Sequence, residues 1–120
     1  MNKTITVLFF GLLISGCSMI PSFWDDNESY LVASVRHKVD SINCNASYMY
    51  QAHDLLGEVR FLELYSESKG SDDLMSMVLP MKETITGLTS KEENAIFCSL
   101  KKKQLEKQSA LIADAVMRRF

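Results

Sequence analysis

The sequence predicts an all-α fold: a long antiparallel helical hairpin stapled by a disulfide, with a three-helix up-down-up bundle as the alternative. Along most of the chain, apolar residues recur at intervals of three and four, and no long segment alternates with a period of two. Residues that end helices are scarce, since the glycines and prolines after position 21 are Gly57, Gly70, Pro80 and Gly87. We therefore expect a few long helices joined by short turns.

The N-terminal segment is typical of an export signal. Lys3 supplies one positive charge, and residues 5–14 form an apolar run interrupted by a single threonine. This run is much shorter than the roughly 20 residues that a membrane-spanning helix needs, and its length suits the core of a signal peptide.

Ile14, Ser15, Gly16 and Cys17 close this run, and the sequence resembles the lipobox of bacterial lipoproteins. The resemblance implies that residues 1–16 are a signal peptide and that Cys17 carries a diacylglycerol thioether and an acylated amine. Several acyl chains make such an anchor effectively permanent. Ser18, where retained lipoproteins carry aspartate, implies the periplasmic face of the outer membrane, with the inner membrane as the less favoured location.

The expected mature chain consists of a lipidated tether, residues 17–26, and one helical periplasmic domain, residues 27–120. Phe23 and Trp24 at the end of the tether have two interpretations. They are candidates for an anchor in the lipid headgroup region, or for a cap on the open end of the hairpin, against Phe120.

Composition argues against a nucleic-acid partner. Removal of residues 1–16 leaves 12 basic and 15 acidic side chains, whereas nucleic-acid-binding domains carry an excess of positive charge.

The first predicted helix covers residues 27–68, because one apolar stripe keeps its phase from Val32 to Leu62. Asp25 and Glu28 have capping-box spacing at its start. A helix of this length would extend for about 63 Å. Gly70, followed by Asp72 and Asp73, then predicts a helix end and a new helix start.

The rest of the chain predicts helical segments on both sides of a weaker boundary at residues 87–90. Ser90 and Glu93 again have capping-box spacing. The stripe before this boundary runs from Leu74 to Leu88. The stripe after it comprises Phe97, Leu100, Leu111 and Ala115.

Cys44 and Cys98 remain after Cys17 is lipidated, and in an oxidising compartment they predict one disulfide. The alternatives are two free thiols or bridges between chains. A hairpin that turns near residue 71 sets Cys44 opposite Cys98 and places Arg118 and Arg119 beside Asp25 and Asp26. A reversal near residue 89 would instead move Cys98 far from Cys44, unless the first helix breaks near residues 43–45. We therefore take the hairpin as the first prediction. Because a lone hairpin buries little core, it also suggests a homodimer.

We find no motif for catalysis, for a phosphate loop or for a metal site, so we expect a non-enzyme with no metal and no cofactor besides the lipid. His37 and His53 would lie about 24 Å apart on one continuous helix. Lys101, Lys102, Lys103 and Lys107 form a candidate basic contact patch for anionic partners or lipids. The alternative is a solvated helix face.

The order of lipobox, residues 18–24 and cysteine-paired helical region resembles small uncharacterised lipoproteins encoded by tailed phages and their hosts. We expect a membrane-anchored, non-catalytic helical module that docks on an envelope protein. One alternative is the outer-membrane subunit of a phage spanin pair, which resembles this chain in its lipobox and helical ectodomain. Others are a structural lipoprotein for envelope assembly and a lipoprotein that masks a receptor.

Overall fold

The computed structural model describes residues 23–90 and 92–119. Within these residues the chain forms four helices and no strand: α1 (Asp26–Asp40), α2 (Tyr48–Lys69), α3 (Asp72–Thr89) and α4 (Ala95–Met117). The all-α prediction is confirmed. The predictions for the signal peptide, for Ile14, Ser15, Gly16 and Cys17, and for Phe120 fall outside the described residues.

The helices form an up-down-up-down bundle, because bonds across each neighbouring pair join antiparallel segments. Ser34 of α1 donates to Glu58 of α2 at 2.7 Å. Lys82 of α3 pairs with Glu63 of α2 at 2.8 Å. The ring closes through bonds from α4 and the residues just after it. Gln108 donates to Thr84 of α3, and Lys102 donates to the carbonyl oxygen of Ile42 just after α1. Arg119, two residues beyond α4, pairs with Glu28 of α1.

The bundle has two ends with different chemistry. The entry end is where the chain enters at residues 23–28, and it also holds residues 65–73 and 116–119. The disulfide end holds residues 41–48 and residues 92–98.

The predicted hairpin has two limbs, one before and one after the turn near residue 71. The bundle corresponds to this hairpin with each limb folded back on itself at its middle. The turn near residue 71 and the Cys44–Cys98 disulfide are both confirmed. The single helix over residues 27–68 is wrong, since residues 41–47 separate α1 from α2. The chain also reverses between α3 and α4 instead of continuing straight. The break in the first limb is the one that the three-helix alternative required for the disulfide.

The local sequence explains where each helix starts and ends. Asp25 caps α1 by accepting from the backbone N–H of Glu28 at 3.0 Å. Gly70 ends α2 with a φ of 82°, a left-handed conformation that favours glycine. Asn94 caps α4 by accepting from the backbone N–H groups of Ile96 and Phe97, the second and third residues of the helix. The predicted Ser90–Glu93 capping box is therefore wrong, because the asparagine nearer the helix takes that role.

The core runs the length of the bundle between the four helices. It is built largely from aliphatic side chains that are almost fully buried, among them Val35, Val39, Leu55, Val59, Leu62, Leu74, Val78, Met81, Ile85, Leu105 and Ile112. The predicted inner stripe of α4 is partly wrong. Leu100 and Leu111 are exposed, and the buried face of α4 instead carries Cys98, Leu105, Ser109, Ile112 and Val116.

Candidate interaction site

Phe23 and Trp24 lie at the entry end, where the chain enters α1. Both side chains are exposed, and the indole Nε1 of Trp24 donates to a carboxylate oxygen of Asp26 at 2.7 Å. The ammonium group of Lys69 donates to the backbone carbonyl of Phe23 at 2.7 Å. These bonds hold the end of the predicted tether against the bundle while leaving both rings accessible. The alternative contact with Phe120 involves a residue outside the described part of the chain.

A buried ion cluster joins the helices at the same end. Glu28 of α1 is fully buried, and it accepts from Ser66 at 3.1 Å and from Lys69 at 3.2 Å. It also pairs with Arg119, whose other guanidinium nitrogen lies 2.6 Å from Asp73 of α3. A buried carboxylate is costly unless it is paired and hydrogen-bonded, and here both conditions are met.

Burial lowers the pKa of Arg119 from its ordinary value, and the charge of Asp25 opposes that shift. The hairpin register predicts Arg119 beside acidic residues near the start of α1, and in the structure Arg119 does lie among acidic side chains at this end. Its direct partners are nevertheless Glu28 and Asp73. The sequence does not indicate that Glu28 is buried, because capping-box spacing places it in the first turn of a helix without determining its exposure.

The disulfide end is tied together by side chains as well as by the covalent bond. The Cα atoms of Cys44 and Cys98 are 5.6 Å apart. The buried hydroxyl of Tyr48 accepts from the backbone N–H of Asn94 at 2.6 Å and donates to the carbonyl of Glu92 at 3.3 Å. The segment before α2 and the segment before α4 are therefore held as one unit.

An open apolar recess of about 390 Å³ lies at this end. Its lining residues are Glu92, Asn94, Ile96, Phe97 and Leu100. Ile96 is 76% exposed and Leu100 is 62% exposed, so the fold leaves both side chains largely uncovered. The recess can accept an apolar side chain, and the carboxylate of Glu92 adds a polar group to its lining. Sequence reasoning missed this surface because it assigned Leu100 to the core.

The predicted basic patch is divided by the structure. The ammonium of Lys101 lies 5.5 Å from the centroid of the Phe97 ring, and Lys102 donates to the carbonyl of Ile42 at 2.8 Å. Lys103 and Lys107 are exposed on the outer side of α4. Two of the four lysines thus have partners within the chain, and the other two are accessible to a partner.

The two histidines are placed differently from the prediction. Because the first limb is folded, His37 and His53 lie on neighbouring antiparallel helices, each next in sequence to a member of the Lys38–Asp54 ion pair. The hydrogen bond that Lys38 donates to Asp54, at 2.5 Å, raises the pKa of Lys38. The expected separation along one helix is therefore wrong. Across residues 23–90 and 92–119, no group of three or more histidine, cysteine or acidic side chains could hold a metal ion.

The pairing of the cysteines within one chain removes the case for a covalent dimer. The four-helix core also removes the small buried surface that made a homodimer attractive for a lone hairpin. Self-association therefore stays a prediction that needs a different physical basis.

No helix among the described residues is both long and apolar enough to cross a membrane. A scan against protein-family models, a search of curated proteins and a search of solved structures find no match to this chain.

Proposed function

We propose that the protein is a lipid-anchored lipoprotein of the periplasmic face of the outer membrane, acting as a non-catalytic helical interaction module. The observation that carries this proposal is the difference between the two ends of the bundle. Exposed aromatic rings lie at the entry end, and the apolar recess lies at the disulfide end.

Lipidation of Cys17 would orient the molecule. The acyl chains would hold the entry end near the membrane, with Phe23 and Trp24 at headgroup level. The recess would then face away from the membrane, since the helices run from one end to the other. Such a module presents a docking surface at a fixed height above the membrane and needs no catalytic group.

The folded bundle sets that height. The 22 residues of α2 correspond to about 33 Å, roughly half the length expected for one continuous helix. Residues 17–25 could add up to about 30 Å if extended. The recess would therefore contact proteins close to the outer membrane.

This shorter reach favours a partner in the outer membrane or the nearby periplasm. It gives less support to the spanin-type lysis subunit, which must meet an inner-membrane partner across the periplasm. A role in envelope assembly and a receptor-masking role both agree with a short reach, and we retain them as alternatives within the same proposal. An origin in tailed phages is likewise a proposal that rests on the resemblance of the N-terminal region.

The anchor is tested by the intact mass of the full chain extracted from membranes. We expect a mature chain that begins at a triacylated Cys17, and a Cys17→Ala variant that leaves the membrane fraction. An unlipidated wild-type protein in the soluble fraction would contradict the proposal.

The docking surface is tested with a photo-crosslinking amino acid at Leu100 in cells that express the full chain. The same residue at Leu79, an exposed leucine of α3 that does not line the recess, is the matched control. We expect one envelope protein to be captured from position 100 and from position 96, and not from position 79. An equal yield at all three positions would argue against the recess.

A further inference from the structure

We propose that copies of this protein associate side by side, with the outer face of α4 in one copy docked on the outer face of α2 in the next. The contact itself depends only on described helices. It rests on the proposed anchoring in one respect: a shared membrane would give all copies the same orientation.

Both faces are exposed and lie on opposite sides of the bundle, because α2 and α4 are diagonal in the ring of four helices. The outer face of α2 has helical spacing and carries Tyr50, Asp54, Gly57, Phe61, Leu64 and Ser68. The outer face of α4 carries Ile96, Leu100, Lys103, Lys107, Leu111, Asp114 and Arg118, and the last two pair with each other. Apolar side chains at both ends of each face leave a surface that a neighbouring helix can cover.

When two copies have the same orientation, the outer faces of α2 and α4 cover the same stretch of the bundle axis. Since α2 and α4 run in the same direction, a residue of α2 lies level with the α4 residue about 48 positions later. At the disulfide end, Ser47 bonds to Glu93, 46 positions away. At the entry end, Lys69 and Arg119 both reach the carboxylate of Glu28.

This offset pairs similar or complementary side chains across the contact. Leu64 lies level with Leu111, and Tyr50 lies level with Ile96 and Leu100. The contact therefore covers two residues of the recess, and the copy whose α4 face stays uncovered is the one that offers the recess to an envelope partner. Asp54, whose carboxylate already pairs with Lys38 of its own chain, lies level with Lys103. The ring of Phe61 lies level with Lys107. An ammonium group over an aromatic face is attractive, so the Phe61 pairing also favours this register.

The charged residues favour a contact between two different faces over a contact between two identical faces. Contact of α4 with α4 would place Lys103 and Lys107 opposite the same residues of the other copy. A parallel contact of α2 with α2 would place Asp54 opposite Asp54. A contact of α4 with α2 avoids both repulsions. Because one copy of a pair keeps a free α2 face and the other keeps a free α4 face, the contact can repeat and generates a row.

Gly57 gives an independent reason for a close contact at the middle of α2. A glycine is unfavourable inside a helix, yet a Cβ at this position would meet no atom within 4 Å, so the fold of one copy does not require it. Gly57 lies between Asp54 and Phe61, and the long stems of Lys103 and Lys107 can pass over it in the proposed contact.

The test is disulfide crosslinking of the full chain in membranes from expressing cells. Leu64→Cys and Leu111→Cys are introduced into one chain, with the native Cys44–Cys98 bond intact. We expect a ladder of covalent dimers, trimers and larger species under mild oxidation. Co-expressing the two single variants in one cell should give a covalent dimer and no larger species, because each chain then offers one thiol.

Controls separate this contact from others. Each single variant alone should remain monomeric, whereas a contact between identical faces would make one of them a dimer. Leu64→Cys combined with Ile96→Cys should give no ladder, since Ile96 lies about 22 Å from Leu111 along α4. Lys103→Glu with Lys107→Glu in the ladder-forming chain should slow ladder formation roughly fivefold, in line with two exposed charge contacts.

Three results would overturn the inference: a dimer from one single variant, equal yields for the matched and mismatched pairs, or no crosslink in any chain. Far-UV circular dichroism of each variant excludes unfolding as the cause of a negative result. Fractionation of the same samples tests the anchoring separately, because a soluble protein can still form the ladder.

Discussion

Glu28 and Arg119 form an ion pair in the interior of the bundle, although they lie at opposite ends of the described chain. The side chain of Glu28 is fully buried and that of Arg119 is 3% exposed. Together with Lys69, Ser66 and Asp73, the pair connects all four helices at the entry end. This cluster closes the ring between the first helix and the last.

Glu28→Gln should destabilise the protein by about 3–5 kcal/mol, because it leaves the buried guanidinium of Arg119 and the partly buried ammonium of Lys69 without the carboxylate of Glu28. Urea denaturation followed by circular dichroism measures this change. The matched control is Arg118→Gln, which removes an exposed pair with Asp114 and should change the free energy of unfolding by less than about 1 kcal/mol. Equal effects of the two substitutions would show that the buried cluster contributes no more than a surface pair.

The Cys44–Cys98 disulfide should contribute about 4 kcal/mol to stability, since it closes a loop of 54 residues in the unfolded chain. Replacing both cysteines with alanine should therefore lower the midpoint of thermal unfolding well below that of the oxidised protein. Reduction of the wild-type protein should have a similar effect. A variant that unfolds at the wild-type temperature would show that the bonds of Tyr48 and Lys102 alone hold this end together.

Gly57 and Gly70 should respond to alanine in opposite directions. Gly57→Ala should stabilise the protein by about 0.5–1 kcal/mol, because the new methyl group meets no atom and alanine favours the helix. Gly70→Ala should destabilise it by about 1–2 kcal/mol, because its φ of 82° is unfavourable for a residue with a Cβ. Chemical denaturation of the two variants under identical conditions makes the comparison. A loss of stability in Gly57→Ala would mean that the fold itself requires this glycine.

Trp24 is the one tryptophan in the sequence, so its fluorescence reports directly on the entry end. If the lipidated protein places this ring at headgroup level, its emission should shift to shorter wavelength in vesicles, and brominated lipids should quench it. The Cys17→Ala variant, mixed with the same vesicles, is the control. If acrylamide still quenches the fluorescence of Trp24 in the lipidated protein, an interfacial position for this ring is excluded.

Several features of the fold follow from local chemistry, and the sequence predicts them correctly. Gly70 ends α2, because a left-handed helix end favours a residue without a side chain. Asp25 caps α1 because its short carboxylate can reach a free backbone N–H. The pairing of Cys44 with Cys98 follows from a turn at residue 71, which places the two cysteines opposite each other.

The site at the disulfide end could not be predicted in the same way. The apolar residues of α4 form two stripes, and the sequence stripe through Leu100 and Leu111 competes with the stripe through Leu105 and Ile112. Packing buries the second stripe and exposes the first. Periodicity shows that a helix has an apolar side, but which of two stripes faces inward depends on the neighbouring helices.

The sequence by itself determined the all-α class, the turn after α2 and the identity of the disulfide, since each depends on a few adjacent residues or on residue counts. Only the tertiary structure decided that each limb folds back on itself, between Asp40 and Tyr48 and between Thr89 and Ala95. The apolar stripe keeps its phase across the first of these breaks, so local periodicity cannot distinguish one long helix from two. The folded form is favoured because four helices bury apolar faces that a two-helix hairpin would leave in water.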